Sequence, residues 1–292
     1  MSKLNLKRLF YILILILILV FLSYREKNLD KKNIKPVSED LVVYFIDVGE
    51  ADATLISSNG HYMLVDAGNN EDGKPLVKYF AELGIEKFDY LVCTHPHEDH
   101  IGGMDNIIRE FDIGKYYMAD VKLDNMTYTE VIKYLKEKKI PYEEPKVDSE
   151  FDLGKAKVKV LYADHTSDNL NDNTVILKIS YEDTSLIITG DASTDVENKI
   201  LNKDIKSTVL RVGHHGSNDS TSANFLYKVH PEYSIISVGK DNDYYHPHKV
   251  TLDKLNKINS KVYRTDLDGT IIMTSDGKNI SFKTVKTDTD GE

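Results

Sequence analysis

The sequence predicts an α/β domain between about residues 41 and 285, within a chain of 292 residues. Short apolar segments of strand length alternate with segments of helical periodicity throughout this range. Two turn sequences, Ser58-Asn59-Gly60 and Ser275-Asp276-Gly277, indicate β-hairpins. Eight of the ten histidines lie in segments that directly follow predicted strands, which is where α/β sheets place their ligands. We therefore expect one α/β domain with its functional residues gathered at strand ends.

The individual elements follow from apolar runs and the residues that interrupt them. Gly84 ends the first predicted helix, and Pro141 stops a later one. The predicted strands cover residues 41–47, 54–56, 62–65, 88–93, 115–118, 156–162, 174–179, 185–189, 208–212, 234–238, 262–264, 270–273 and 280–283. The predicted helices cover residues 76–83, 104–111, 129–139 and 250–258.

The N-terminal 24 residues differ from the rest of the chain. Residues 9–24 are almost entirely Ile, Leu, Val and Phe, and three basic residues precede them, which predicts a signal anchor, that is, a single transmembrane helix. The lack of an A-x-A-like cleavage motif favours an uncleaved anchor over a signal peptide. Basic residues in the charged spacer 25–40 argue for the reverse orientation, but the short N-terminal extension predicts a single-pass membrane protein with its domain outside the cell. Residues 286–292 are expected to be a tail.

The overall composition excludes some classes of protein. The net charge is −10, whereas proteins that track the phosphates of duplex nucleic acid are normally basic. A single cysteine, Cys93, excludes an intramolecular disulfide. No sequence feature indicates a protein partner.

The segment from His95 to His100 is the densest group of potential metal ligands. It follows an apolar predicted strand and contains His95, His97, Asp99 and His100. Imidazole and carboxylate donors suit zinc, manganese or iron in a site that keeps a position open for water. A surface loop that is rich in histidine by chance is the alternative. Gly102-Gly103 is expected to let the backbone turn tightly after this segment.

Further candidate ligands follow later strands. Asp191 comes directly after an apolar strand and Gly190, where a carboxylate is well placed to bridge two cations. His165 also follows a strand and is a candidate ligand, with an exposed loop residue as the alternative. Asp47 and Asp66 end strands too, and each is equally consistent with capping a turn or with supporting the ligands. Histidines at two more strand exits complete the group: His214, His215, His246 and His248.

The order of these motifs, HxHxDH, GD, HHGS and HPH, resembles that of the metallo-β-lactamase superfamily. The resemblance is closest to the hydrolase domain of ComEC-type competence proteins and covers about residues 40–285. It implies a four-layer αββα sandwich with a site for two divalent metal ions, Zn or Mn. Ala51 departs from the family pattern, which has glycine there, and His165 has no frequent counterpart. The segments that carry the closer resemblance are 47–49, 52–53, 64–68, 213–217, 237–239, 246–248 and 264–266.

The resemblance also implies roles for individual residues. His95 and His97 are expected on one ion and Asp99 and His100 on the other, with Asp191 bridging the two. His246 is the expected final histidine ligand, and His165 remains a further candidate. The expected catalytic residues are Asp99, His214 and His215, the two histidines lying near the substrate.

Three functions are consistent with such a site. The preferred one is a metal-dependent phosphodiesterase or nuclease that uses a metal-bound hydroxide, with single-stranded DNA or a cell-envelope phosphodiester as substrate. The second is an ester, thioester or amide hydrolase on the same site. The third is a non-enzymatic envelope module that binds metal or DNA.

Overall fold

Residues 40–286, the part of the chain that the computed structural model describes, form two β-sheets. The first sheet has eight strands: β1 (Leu41–Phe45), β2 (Thr54–Ser58), β3 (His61–Val65), β4 (Lys87–Val92), β5 (Asp112–Tyr117), β6 (Tyr142–Glu143), β14 (Thr270–Ser275) and β15 (Ile280–Val285). Their order is β15-β14-β1-β2-β3-β4-β5-β6.

The second sheet has seven strands: β7 (Glu150–Leu153), β8 (Ala156–Ala163), β9 (Val175–Tyr181), β10 (Thr184–Ile188), β11 (Val209–Arg211), β12 (Tyr233–Ile236) and β13 (Lys261–Arg264). Their order is β13-β12-β11-β10-β9-β8-β7.

Helices cover the outer face of each sheet. The helices of the first half are α1 (Gly73–Glu82), α2 (Glu98–Ile101), α3 (Met104–Glu110) and α4 (Met126–Glu137). Those of the second half are α5 (Thr194–Ile200), α6 (Ala223–Val229), α7 (Lys249–Lys257) and α8 (Thr265–Asp268).

Three apolar clusters define the layers. Between the sheets, Val43 and Val92 of the first sheet pack in one cluster with Leu177 and Val209 of the second. Because successive strand residues point to opposite faces, each sheet also has apolar residues on its outer face, and these pack against the helices. The outer cluster of the first sheet joins Leu64, Leu91, Phe80, Ile107 and Leu135, and that of the second joins Ile187, Leu210, Val196, Phe225 and Leu255. The expected αββα sandwich is therefore confirmed for the described residues.

The direction of the strands explains where the motif residues lie. β3, β4 and β5 run parallel in the first sheet, and β10 to β13 run parallel in the second. The segments that leave the C-terminal ends of β4, β10 and β11 contain the HxHxDH, GD and HHGS motifs. Ligand-bearing loops therefore come from both sheets.

Several short elements were not predicted from the sequence, namely the helices α2, α5, α6 and α8 and the strands β6 and β7. These helices have four or seven residues each, too few for a helical period to stand out. The predicted helix at 129–139 begins earlier, at Met126, because the Asn125 side chain accepts a hydrogen bond from Tyr128 N at 2.8 Å and caps the helix.

The expected membrane segment 1–24, most of the spacer 25–40 and most of the tail 286–292 lie outside the described residues. Among the helices of residues 40–286, none combines the length and the apolar character that crossing a membrane requires.

Gly102 and Gly103 form the predicted turn between α2 and α3, but the backbone angles of the turn do not require glycine. Both have right-handed helical backbone angles, which any residue adopts. A Cβ at Gly102 would lie 2.2 Å from the carbonyl carbon of Asn69, and one at Gly103 would lie 2.4 Å from Ala67 O. Glycine is required here because another backbone segment approaches closely.

Gly102→Ala should therefore lower the free energy of unfolding by about 3 kcal/mol, the upper end of the cost of overpacking, since the clashing atoms belong to the backbone. The measurement is denaturant unfolding. The matched control is Gly73→Ala, for which the three atoms nearest to the added Cβ all belong to the Asn106 side chain rather than to backbone. Equal losses for the two variants would contradict the explanation.

Candidate metal centre

One carboxylate oxygen, Oδ2 of Asp191, lies among four imidazole nitrogens. It is 3.4 Å from His100 Nε2, 3.6 Å from His214 Nε2, and 3.8 Å from Nε2 of both His95 and His215. Most of these separations exceed hydrogen-bond length. Donor atoms that each lie about 2.1 Å from one tetrahedral ion are about 3.4 Å apart, so the spacing matches that of ligands around a cation.

His100 is oriented for such a role by Asp66. Its Nδ1 lies 2.9 Å from Asp66 Oδ2, and Thr94 donates its backbone N–H and its hydroxyl to the same carboxylate, at 2.8 and 2.7 Å. The buried Nε2 of His100 has no hydrogen-bond partner. A histidine that donates Nδ1–H to a carboxylate and leaves Nε2 free has the usual arrangement of a metal ligand. Of the two open roles for Asp66, the structure thus favours support of a ligand.

Asp99, His95 and His97 are the other potential ligands of the HxHxDH motif. Asp99 Oδ2 lies 3.6 Å from His100 Nε2, and Nε2 of His95 lies 2.9 Å from Nδ1 of His97. The structure therefore brings all four predicted residues of this motif to one cluster with Asp191.

The HHGS turn supplies two more imidazoles. His215 is 2% exposed, its Nδ1 lies 3.0 Å from Ser237 O, and its Nε2 lies 3.3 Å from Asp99 Oδ2. His214 Nδ1 lies 3.0 Å from Asp219 Oδ1. In both histidines Nδ1 is occupied and Nε2 faces the cluster, as expected of ligands that are held by a second group.

This turn has a left-handed backbone, with φ of 50° at His214 and 49° at His215. Such angles are unfavourable for residues with a Cβ and persist where surrounding contacts enforce them. Ser220 Oγ donates to Gly213 O at 2.9 Å, Gly213 N donates to Thr221 Oγ1 at 3.2 Å, and His214 N donates to Gly190 O at 3.1 Å. The turn is thus tied to the strand exit that carries Asp191.

His246 differs from its expected role as a ligand. Its Nδ1 lies 2.8 Å from Glu50 Oε1, and its ring centroid is 5.7 Å from that of His214 and 6.2 Å from that of His215. The described contacts include none between His246 and Asp191 or Asp99. His246 therefore lies beside the cluster, whereas His215 lies within it, and the ligand role of His246 stays a prediction.

His165 also differs from its expected role. Its side chain is 44% exposed and its Nδ1 pairs with Glu144 Oε2 at 2.8 Å, next to Met118, Tyr128 and Tyr142. No described contact joins it to the metal cluster. The alternative interpretation, an exposed loop residue, fits this position.

Arg211 is a central residue that the sequence interpretation missed. Its side chain is 1% exposed. Nε donates to Asp52 Oδ1 at 3.0 Å, and Nη2 contacts Asp52 Oδ2. Nη1 donates to Gly190 O at 3.0 Å. Nη1 of Arg211 is also 3.8 Å from Asp191 Oδ1. An arginine between Leu210 and Val212 in an otherwise apolar strand was the signal available in the sequence.

Asp52 lies in the same cluster, since its carboxylate oxygen and donor atoms of His100, Asp191 and His215 are within 4.8 Å of one another. Both of its oxygens are engaged by Arg211. We therefore interpret Asp52 as the counter-ion of Arg211. Burial lowers the pKa of Arg211 to about 9.

The electrostatics of the cluster are those of a site built around positive charge. Burial lowers the pKa of His95 and His97. Burial acts in the same direction on His100, but Asp191, Asp99 and Asp66 outweigh it and raise its pKa well above the ordinary value. Burial opposes ionisation of Asp191 as well, yet His100 and His215 hold its pKa well below the ordinary value. The donor set, the free His100 Nε2 and the supporting carboxylates fit divalent cations.

Comparison with known proteins identifies the class. Residues 46–240 match the family model described as the metallo-beta-lactamase superfamily, and the chain belongs to that superfamily. Its members are mostly metal-dependent hydrolases, and the fold implies divalent metal ions.

Among its relatives are ComEC-type competence proteins. The chain is 27% identical over 256 residues to ComE operon protein 3 of Bacillus subtilis, covering 80% of this chain and 33% of the relative. It is 28% identical over 257 residues to Competence protein ComA of Neisseria gonorrhoeae, covering 86% of this chain and 34% of the relative. The chain thus spans about a third of the length of these curated relatives.

A solved structure supports the fold alone. The metallo-beta-lactamase fold protein YhfI from Bacillus subtilis superimposes with a TM-score of 0.53 at 13% identity, covering 77% of this chain and 96% of that chain.

Arg211→Met should lower the free energy of unfolding by about 3–5 kcal/mol, because it leaves the Asp52 carboxylate buried without a counter-ion. Arg211→Met combined with Asp52→Leu should recover part of this loss, since the apolar pair removes the uncompensated charge at residue 52, while Asp191 still lacks the nearby guanidinium. Denaturant unfolding of the two variants tests the pairing. Equal destabilisation of the single and double variants would contradict it.

Proposed function

We propose that the chain is a dinuclear metal-dependent phosphodiesterase that acts on single-stranded DNA. The observation that carries this proposal is the convergence of four imidazole Nε2 atoms on Asp191 Oδ2 at 3.4–3.8 Å. A carboxylate oxygen surrounded in this way suits a bridge between two cations, and paired cations suit the displacement at a phosphodiester.

The distances support a specific division of the ligands. Asp99, His100 and His215, which lie 3.3–3.6 Å from one another through Asp99 Oδ2, would hold one ion, His95 and His97 would hold the other together with His214, and Asp191 would contribute to both. This assignment gives His214 and His215 to the ions and removes His246 from the ligand set. It is supported by the placement of Nε2 of both turn histidines within 3.8 Å of Asp191 Oδ2.

Bound divalent cations supply Lewis-acid polarisation of a phosphoryl oxygen and activation of water. The chain's own residues supply the rest. Glu50 holds Nδ1 of His246 at 2.8 Å and so leaves Nε2 for a substrate atom beside the cluster. A histidine fixed by a carboxylate is suited to donate a proton to the leaving oxygen. The Asp99 side chain is 32% exposed and faces the solvent side of the cluster, where substrate enters.

The choice of single-stranded DNA over a cell-envelope phosphodiester is supported by the relatives, which are competence proteins. The net charge of −10 disfavours extended contact with a duplex. Those relatives are about three times as long as this chain, so their whole activity is not carried over with the domain.

Metal content and activity should separate the ligands from the proton donor. The purified full chain, reconstituted with Mn²⁺ or Zn²⁺, should contain about two ions. Asp191→Ala and His215→Ala should lose metal and activity together. His246→Ala should keep both ions and lower turnover by roughly 10²–10⁴-fold, the usual effect of losing a general acid.

Elemental analysis measures the number of bound ions. Turnover and substrate class are measured with four substrates: bis-p-nitrophenyl phosphate, single-stranded DNA, p-nitrophenyl phosphorylcholine and an acyl ester. If His246→Ala lost one ion and His215→Ala kept both, the sequence-based assignment would hold instead, with His246 as a ligand and His215 as a catalytic residue. A metal content near zero in the reconstituted wild type would overturn the function.

We further propose that residues 1–24 anchor the chain in the cell membrane as a single span, with the catalytic domain outside. The apolar run of residues 9–24 supports this location. Protease added to intact cells that express the chain should degrade the domain. A domain that remains protected until the cells are lysed would reverse the orientation.

A further inference from the structure

A braced loop carries two exposed tyrosines beside the metal cluster. The loop comprises residues 240–247, and Asn242 fixes its shape from within. The amide nitrogen of Asn242 donates to Gly239 O at 2.9 Å and to His246 O at 2.8 Å, and its oxygen accepts from His246 N at 2.9 Å. Tyr245 N donates to Asn242 O at 3.2 Å. The 240–247 loop is therefore an ordered surface feature.

Three further contacts fix this loop and its flanking residues against the segments that carry the metal cluster. Glu50, in the loop that also contains Asp52, accepts from Gly239 N at 2.7 Å and pairs with His246. His248 N donates to Gly216 O at 3.0 Å, which ties the end of the loop to the HHGS turn. Groups on the 240–247 loop thus keep a fixed position relative to His214 and His215.

Aromatic rings form a row from the cluster to the surface. The rings of His214 and His246 have centroids 5.7 Å apart. The Tyr244 ring then stacks on His246 with a centroid distance of 5.6 Å and an interplanar angle of 17°. Tyr244 is 66% exposed and its neighbour Tyr245 is 85% exposed. A flat, solvent-exposed ring therefore lies two ring spacings from a proposed metal ligand.

An exposed ring held in place in this way can bind another planar ring without losing rotamer freedom. Nucleobases suit it, because every base has a π-face, and removal of one base–aromatic contact weakens binding by roughly 5- to 150-fold. Within the 240–247 loop, acidic residues outnumber the one basic residue, Lys240. Asp241 and Asp243 in the same loop are exposed acidic residues and repel a phosphate chain.

We propose that Tyr244 is a stacking platform for a nucleobase next to the phosphodiester that is cleaved. This inference rests on the proposed function and deepens it, since it assigns recognition of single-stranded DNA to base stacking on one residue. A base in a duplex is already stacked and paired, so the platform selects single strands. Because few phosphates are contacted, binding should depend weakly on salt.

The test compares two substrates that differ only in their bases: an oligothymidylate and an abasic phosphodiester oligomer of the same length. The full chain reconstituted with Mn²⁺ is assayed as wild type, Tyr244→Ala and Tyr244→Phe. The control is Tyr227→Ala, which removes a tyrosine that is 76% exposed on α6 and for which the described residues include no contact with the cluster. Thermal unfolding checks that all variants are folded.

Tyr244→Ala should raise KM for the oligothymidylate about tenfold, whereas KM for the abasic oligomer should not change. Tyr244→Phe and Tyr227→Ala should match the wild type. An equal rise in KM for both substrates, or no rise, would overturn the platform. p-Nitrophenyl phosphorylcholine is assayed in parallel. A rise in KM confined to this substrate would also overturn the platform, because it would assign Tyr244 to a cationic headgroup.

Binding separates this inference from the proposed function. If the wild type cleaves neither oligomer, the phosphodiesterase proposal fails, and fluorescence anisotropy with a labelled oligothymidylate decides the platform alone. Selective weakening by Tyr244→Ala then supports the platform. Absence of binding by the wild type overturns it as well.

Discussion

The site depends on one buried carboxylate that must be ionised. Asp191 is 3% exposed, and a carboxylate removed from water is stable only with hydrogen bonds or positive charge around it. Its two oxygens face different partners. Oδ1 lies on the side of Arg211, and Oδ2 lies among the Nε2 atoms of four histidines. The positions of the surrounding loops follow from this requirement, since each of them supplies a cationic or metal-binding group.

The same requirement explains how the two sheets are joined at the site. Asp191 leaves β10 of the second sheet, whereas His95 and His100 follow β4 of the first. The buried pair of Asp52 and Arg211 connects the sheets at the same edge. Thr94 adds a backbone link, because its carbonyl accepts from Val175 N at 2.8 Å. Donors held from both sides in this way keep their spacing before any ion binds, which is what a metal site requires.

Specificity is expected to lie outside this cluster. One fold and one ligand set serve many reactions, and differences arise in the loops at the rim. In this chain the rim includes the 240–247 loop, with exposed tyrosines and aspartates. The cluster therefore determines the type of chemistry, while the residues at the rim determine which substrate reaches it.

The local sequence patterns by themselves determined an α/β domain, most of its longer elements and the HxHxDH cluster, whereas the αββα layering was implied by the family resemblance. These local patterns are apolar periodicity, turn residues, and donors close together in a short segment. The tertiary structure alone decided the partners of the remaining histidines. Glu50 pairs with His246 across 196 positions, and Asp52 pairs with Arg211 across 159. His214 and His215 face the cluster because a left-handed turn, held by Ser220 and Thr221, aims both rings inward. No local pattern encodes such contacts, since the packing of the two sheets creates them.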